Sequence, residues 1–140
     1  EGYEVSIETS GSLPLDSLPS AVVKIMDIKT PGALRKPGSG DDFADSEAFR
    51  SEHLDRTNLD LLESKDQVKF VLCDREDYEW ACRFVAEHDL ANRVEAVLFS
   101  PIHPGLDPAV LAGWLTEDKP PVRLNLQIHK VIWGPDERGV

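Results

Sequence analysis

Nothing in the 140 residues approaches the run of about twenty apolar residues that crosses a bilayer, and there is no signal-peptide core. Basic residues are scarce, with 15 Lys and Arg against 26 Asp and Glu. The resulting net charge of −11 argues against a nucleic-acid groove or an anionic membrane surface as the main partner. Cysteine is nearly absent. Cys73 and Cys82 stand nine positions apart, one closing an expected strand and one inside an expected helix. Such a pair is no zinc or iron–sulfur framework by itself, and it reads as two reduced thiols of a cytoplasmic protein. What is present, 41% hydrophobic residues, is enough to bury one core, so residues 1–140 are expected to form a single domain.

Along the chain, short apolar runs alternate with helical patterns. Strands are expected over Glu4–Thr9, Ala21–Lys29, Asp66–Cys73 and Val94–Phe99. The Val and Ile of the second imply burial on both faces, which makes Asp27 and Lys29 at its end conspicuous. Lys69 interrupts the third strand, so it either snorkels to solvent or points into a polar interior. Helices are expected over Leu54–Ser64, after Asp74 with Asp77 three residues on, and after Asp107-Pro108. His88 falls near the end of the second, where an imidazolium complements the helix dipole. The polar stretch 33–53 reads as a loop or lid. Alternation of this kind implies right-handed crossovers and a parallel sheet, either doubly wound or part of a (β/α) barrel. Both architectures gather functional groups at the C-terminal ends of strands.

The last stretch, Pro121 to Gly134, is the most informative. Read as a strand, it sets Arg123, Asn125, Gln127 and His129 on one face and Leu124, Leu126 and Ile128 on the other. Planar hydrogen-bonding groups in a row suit the lining of a cavity better than a solvated surface. The apolar face is expected to pack on helices.

Five segments carry a resemblance. Val5-Ser-Ile-Glu-Thr-Ser-Gly11, Lys24-Ile-Met-Asp-Ile-Lys-Thr-Pro-Gly32, Asp66-Gln-Val-Lys-Phe-Val71, Leu98-Phe-Ser-Pro101 and Leu126-Gln-Ile-His-Lys-Val-Ile-Trp-Gly134 are similar, in order, to the later part of 7-carboxy-7-deazaguanine synthases. Those are radical S-adenosylmethionine (SAM) enzymes of the queuosine pathway. The resemblance implies an α/β fold, the second half of a partial (β/α) barrel, and a 4Fe–4S cluster, SAM and magnesium in the intact enzyme. It implies a pterin substrate, 6-carboxytetrahydropterin, and a flavodoxin- or ferredoxin-type reductant; Trp133 would cover the barrel base or a homodimer contact. Carried over by position, Gly11, Asp27, Ile28, Lys29, Ser100, Pro101, Ile102 and His103 would bind SAM. Thr9, Gln127 and His129 would meet the substrate. In some relatives the chain's terminal carboxylate faces the substrate, a role that would fall to Val140. The family's three-cysteine cluster loop, magnesium ligand and Gly-rich SAM element lie upstream of Glu1, and Cys73 and Cys82 do not replace them. Alone, the chain is therefore expected to hold no cluster and to be inactive. The competing expectation is a non-catalytic α/β module that binds a nucleotide-like ligand or completes a partner's barrel.

Overall fold

A computed structural model describes residues 2–34 and 54–134. The 33–53 stretch lies outside them except for Ala33 and Leu34, and so does Val140. Five strands, β1 (Ser6–Thr9), β2 (Val23–Lys29), β3 (Gln67–Leu72), β4 (Ala96–Pro101) and β5 (Arg123–Leu124), are interleaved with helices. The helices are α1 (Pro31–Leu34), α2 (Thr57–Asp60), α3 (Arg75–Glu87), α4 (Leu90–Arg93), α5 (Pro108–Asp118) and α6 (Ile128–Trp133). Every strand pair is parallel, and the spatial order β1-β2-β3-β4-β5 repeats the chain order. A doubly wound sheet reverses its strand order at a switch point. No reversal occurs here, so the sheet winds one way, as a part of a (β/α) barrel does.

Winding in one direction puts the helices on one face. Met26, Ile28, Val68, Phe70, Leu72, Val97 and Phe99 are buried on that face beneath Tyr78, Ala81, Phe84 and Val85 of α3 and Leu111 of α5. Phe70 makes edge contacts with Phe84 and Phe99 at centroid distances of 5.9 and 5.6 Å, and Tyr78 meets Phe99 at 5.9 Å. Helix α3 starts as its sequence dictates, with the Asp74 carboxylate accepting from the Asp77 N–H at 2.9 Å. At the opposite end of the strands, Asp66 is a buried clasp. It accepts from the Lys24 and Glu63 N–H groups, each at 2.8 Å, and pairs with Lys24 Nζ at 2.9 Å.

Three expectations are corrected. Strand β2 is not buried on both faces: Lys24, Met26 and Ile28 are buried, while the residues between them are half-buried. The expected helix over 54–64 is a single turn, Thr57–Asp60. The terminal strand stops at Leu124, and Ile128–Trp133 is helical, so Gln127 and His129 do not continue the row begun by Arg123. The cause is local. Asn125 N–H still reaches the Phe99 carbonyl at 2.9 Å, but two residues on β4 offers Pro101, which has no N–H to extend the ladder. Leu124, Leu126 and Ile128 accordingly remain 39%, 39% and 62% exposed instead of packing on helices. His88 does cap the end of α3. Burial, with Arg56 next in importance, pushes its pKa below the ordinary histidine value.

Candidate functional site at the open face of the sheet

Strand alternation turns the residues between the core positions away from the helices. Pairing register sets them in rows. Asp27, Lys69, Leu98 and Arg123 form one row; Lys29, Val71 and Ser100 form the next toward the C-terminal ends. At about 4.8 Å between strands, the first row spans roughly 14 Å. Below it, Glu8, Ile25, Gln67 and Ala96 are less polar. The C-terminal half of the open face is thus lined mainly by charged and hydrogen-bonding groups, with Leu98 and Val71 between them.

Asp27 and Lys29 are bonded, Lys29 Nζ donating to Asp27 Oδ2 at 2.8 Å. The other carboxylate oxygen, Asp27 Oδ1, is buried and has no hydrogen-bond partner among the described residues. An ionised carboxylate accepts several bonds, and leaving one oxygen dry and unpaired costs free energy unless a ligand donor fills the position. Across the sheet, Asn125 Nδ2 donates to Ser100 Oγ at 2.9 Å, tying the end of β5 to β4.

Two polar residues shape the loops above this face. Asn58, fully buried, accepts from the Leu15 N–H at 2.9 Å and donates to the carbonyls of Gly11 and Leu13 at 2.9 and 2.8 Å. It thereby fixes the turn after β1. Gly11 sits there at φ +67°, with Thr9 Oγ1 accepting its N–H at 3.2 Å. A Cβ at Gly11 would lie 2.8 Å from Met26 Sδ, so close packing as well as the left-handed backbone demands glycine. Asp77 does the same work after β2 and β3. Its carboxylate accepts from Thr30 Oγ1 at 2.8 Å, Gly32 N–H at 2.7 Å and Cys73 N–H at 2.9 Å.

The residues singled out in the sequence are only partly brought together. Asp27, Lys29 and Ser100 share the open face, with Thr9 and Gly11 at the end of β1. Ile28 belongs to the core, 2% exposed, so its side chain faces the helices. Pro101 and Ile102 are half-buried at the end of β4, with Ile102 N–H donating to the Leu72 carbonyl at 2.9 Å, and His103 is exposed in the turn beyond. Gln127 is exposed at the N-cap of α6, and His129 is half-buried within that helix. Asn58 and the wider role of Asp77 are not readable from sequence. Asp77 shows there only as a capping partner, and Asn58 carries no local signal at all.

Among the described residues, no three His, Cys, Asp or Glu side chains converge to hold a metal ion, and no helix is long and apolar enough to cross a membrane. Cys73 and Cys82 are half-buried and form no disulfide. Burial raises the Cys82 thiol pKa, which disfavours the reactive thiolate. Clefts of about 180 and 420 Å³ lie on the helical side, around Cys82, Pro120 and Arg75. None of the residues named above for ligand binding lines them. Tyr78 borders the larger one, and burial drives its phenol far above the ordinary range, so it is protonated near neutrality.

Comparison of the sequence with known proteins finds several relatives of one name. A protein of Koribacter versatilis (strain Ellin345) named 7-carboxy-7-deazaguanine synthase is 44% identical over 151 residues, covering 99% of this chain and 60% of the relative. The chain's likeness is to 7-carboxy-7-deazaguanine synthases. Proteins of that name from Chlorobaculum tepidum and Methanospirillum hungatei are 35% and 34% identical, covering 97% and 96% of this chain and 56% and 48% of themselves. The chain therefore spans about half to three-fifths of the curated relatives it matches. No protein-family model and no solved structure matches it.

Proposed function

We propose that this chain supplies part of the cofactor- and substrate-binding wall of a 7-carboxy-7-deazaguanine synthase of the radical SAM type. The observation that carries the reading is the 44% identity across nearly the whole chain, supported by an open polar face at the C-terminal end of a one-way parallel sheet. The reaction is conversion of 6-carboxytetrahydropterin to 7-carboxy-7-deazaguanine with loss of ammonia, for which SAM, a 4Fe–4S cluster and magnesium supply the radical chemistry when bound.

The residues present fit SAM in part. Asp27 Oδ1 is an unfilled acceptor for an amine or hydroxyl, and Ser100 adds a short polar group on the neighbouring row. Gly11, by contrast, is filled from beneath by Met26 and Leu54, so its role is to shape the loop. Gln127 and His129, presented from α6, would reach a substrate from the rim. The chain does not fit the cluster: of its two cysteines Cys73 lies in the connection after β3 and Cys82 within α3, and they cannot form a three-cysteine loop. Alone it is accordingly inactive. What its own residues do is bind, orient and keep water from the ligand.

A chimera tests this. The matching part of the Koribacter versatilis relative is replaced by this chain, and product formation from 6-carboxytetrahydropterin is followed after cluster reconstitution. Turnover by the chimera, and none by the chain alone, is expected. A folded, cluster-loaded chimera without turnover would count against the reading and favour a binding module.

A further inference from the structure

We propose that Lys69 is a contact for a ligand carboxylate on the open face; the inference rests on reading that face as the SAM- and pterin-binding wall. Strands β2 and β3 carry three lysines, and they differ in one respect. Lys24 Nζ lies 2.9 Å from Asp66, and Lys29 Nζ lies 2.8 Å from Asp27. Both are close ion pairs. Among the described residues, Lys69 Nζ pairs only with Glu8 Oε2, at 3.9 Å. That separation is too long for a hydrogen bond. Yet the Lys69 side chain is 13% exposed, at the centre of the middle strand, while Glu8 on the edge strand is 71% exposed.

A charge withdrawn from water needs close partners, and an ammonium has three donors to satisfy. The neighbours of Lys69 on the open face leave room for one. Val71 and Leu98 are aliphatic, and although Asp27 beside it spends only Oδ2 on Lys29, it makes no ion pair with Lys69 among the described residues. Glu8 can return to water at small cost because it is already largely solvated. A carboxylate arriving from the open side would replace a loose contact with a short, charge-assisted one. Glu8 is then a placeholder and a competitor.

Two ligands of the proposed reaction carry such a group: the pterin at its 6-carboxylate, and SAM at its aminocarboxylate. Each has a stable counterpart without it. Binding to the 140-residue chain would be measured by fluorescence and calorimetry for 6-carboxypterin against pterin, and for SAM against methylthioadenosine. Within one pair, Lys69→Met should weaken the carboxylate-bearing ligand about tenfold and spare its counterpart. Lys69→Arg should keep most of the affinity, and Glu8→Gln should tighten the same ligand. The pair that responds identifies the source of the carboxylate.

Equal loss for both members of a pair, or no loss in a folded Lys69→Met, would assign Lys69 a purely structural part and overturn the proposal while leaving the binding wall intact. If Lys69→Met does not fold, an unchanged affinity in Glu8→Gln overturns it in the same way. Absence of binding by the unaltered chain to all four compounds would instead remove the reading of the wall, and this inference with it.

Discussion

The carboxylate of Asp77, in the first turn of α3, accepts a hydrogen bond from the Thr30 hydroxyl 2.8 Å away, 47 residues back along the chain. The same hydroxyl hydrogen is shared with the Val71 carbonyl at 3.0 Å, and Thr30 and Asp77 are both buried. One acid therefore ties the segment leaving β2 to the segment leaving β3, directly above the row that holds Lys29. Asp77→Ala should cost about 3 kcal/mol, because it strands two backbone donors at once and leaves the Thr30 hydroxyl only the Val71 carbonyl. Urea denaturation measures it. A loss below about 1 kcal/mol would mean water takes over all three bonds.

Gly11 makes a sharper test of cause. Asparagine tolerates the left-handed backbone that alanine resists. If backbone conformation alone kept glycine here, Gly11→Asn would fold nearly as well as the natural chain. The 2.8 Å approach of a Cβ to Met26 Sδ predicts instead that Gly11→Asn and Gly11→Ala are both destabilised, by about 2 kcal/mol or more. Thermal unfolding of the two variants side by side decides between these causes.

The Lys24–Asp66 pair should respond asymmetrically. Asp66→Ala removes the acceptor of two backbone N–H groups and leaves a buried ammonium unpaired, so a loss of about 3–5 kcal/mol is expected. Lys24→Met leaves the carboxylate its two backbone donors and should cost about half as much or less. Comparable losses in denaturant midpoints would show that the ion pair, not the backbone clasp, dominates.

Acidification should weaken the fold through His88. Its pKa is lowered by burial first and by Arg56 second, with Arg93 acting the same way and Glu87 and Asp60 opposing. A histidine whose folded pKa lies below its unfolded value near 6.5 is protonated first in the unfolded chain. Stability is therefore unaffected above that value and falls as pH drops from about 6.5 toward the lower folded pKa. His88→Gln should flatten this part of the melting-temperature profile. If the slope between pH 7 and pH 5.5 is the same in both proteins, carboxylates alone account for it.

The sequence reading succeeded where signals were local and failed where they depended on partners. Short apolar runs located β2, β3 and β4 to within a few residues, and Asp74 and Asp107 marked the starts of the two long helices. It erred at the terminus. Arg123 to His129 alternates as well as any strand, but the neighbouring β4 ends in a proline, and no inspection of residues 121–134 alone discloses what they pair with. Asn58 is the complementary failure. A polar residue in a weakly helical stretch looks solvated until the turn after β1 folds over it. Lys69 lay between these cases, since its oddity in a strand was legible but the looseness of its pairing with Glu8 was not.

Coincidence of spatial and sequential strand order has a consequence for how such a sheet can grow or be divided. Each internal strand pairs only with the strands immediately before and after it, so two pieces divided at any connection meet along a single seam of main-chain hydrogen bonds. The two outer seams, along β1 and β5, can accept further parallel strands without displacing any already present. Tyr3, Val5 and Ile7 flank the first of these margins with exposed apolar side chains, as Leu124 and Leu126 do the second. The architecture is thus a run of interchangeable courses, and a wall of this kind can be lengthened at its margins while the ligand-facing rows keep their register.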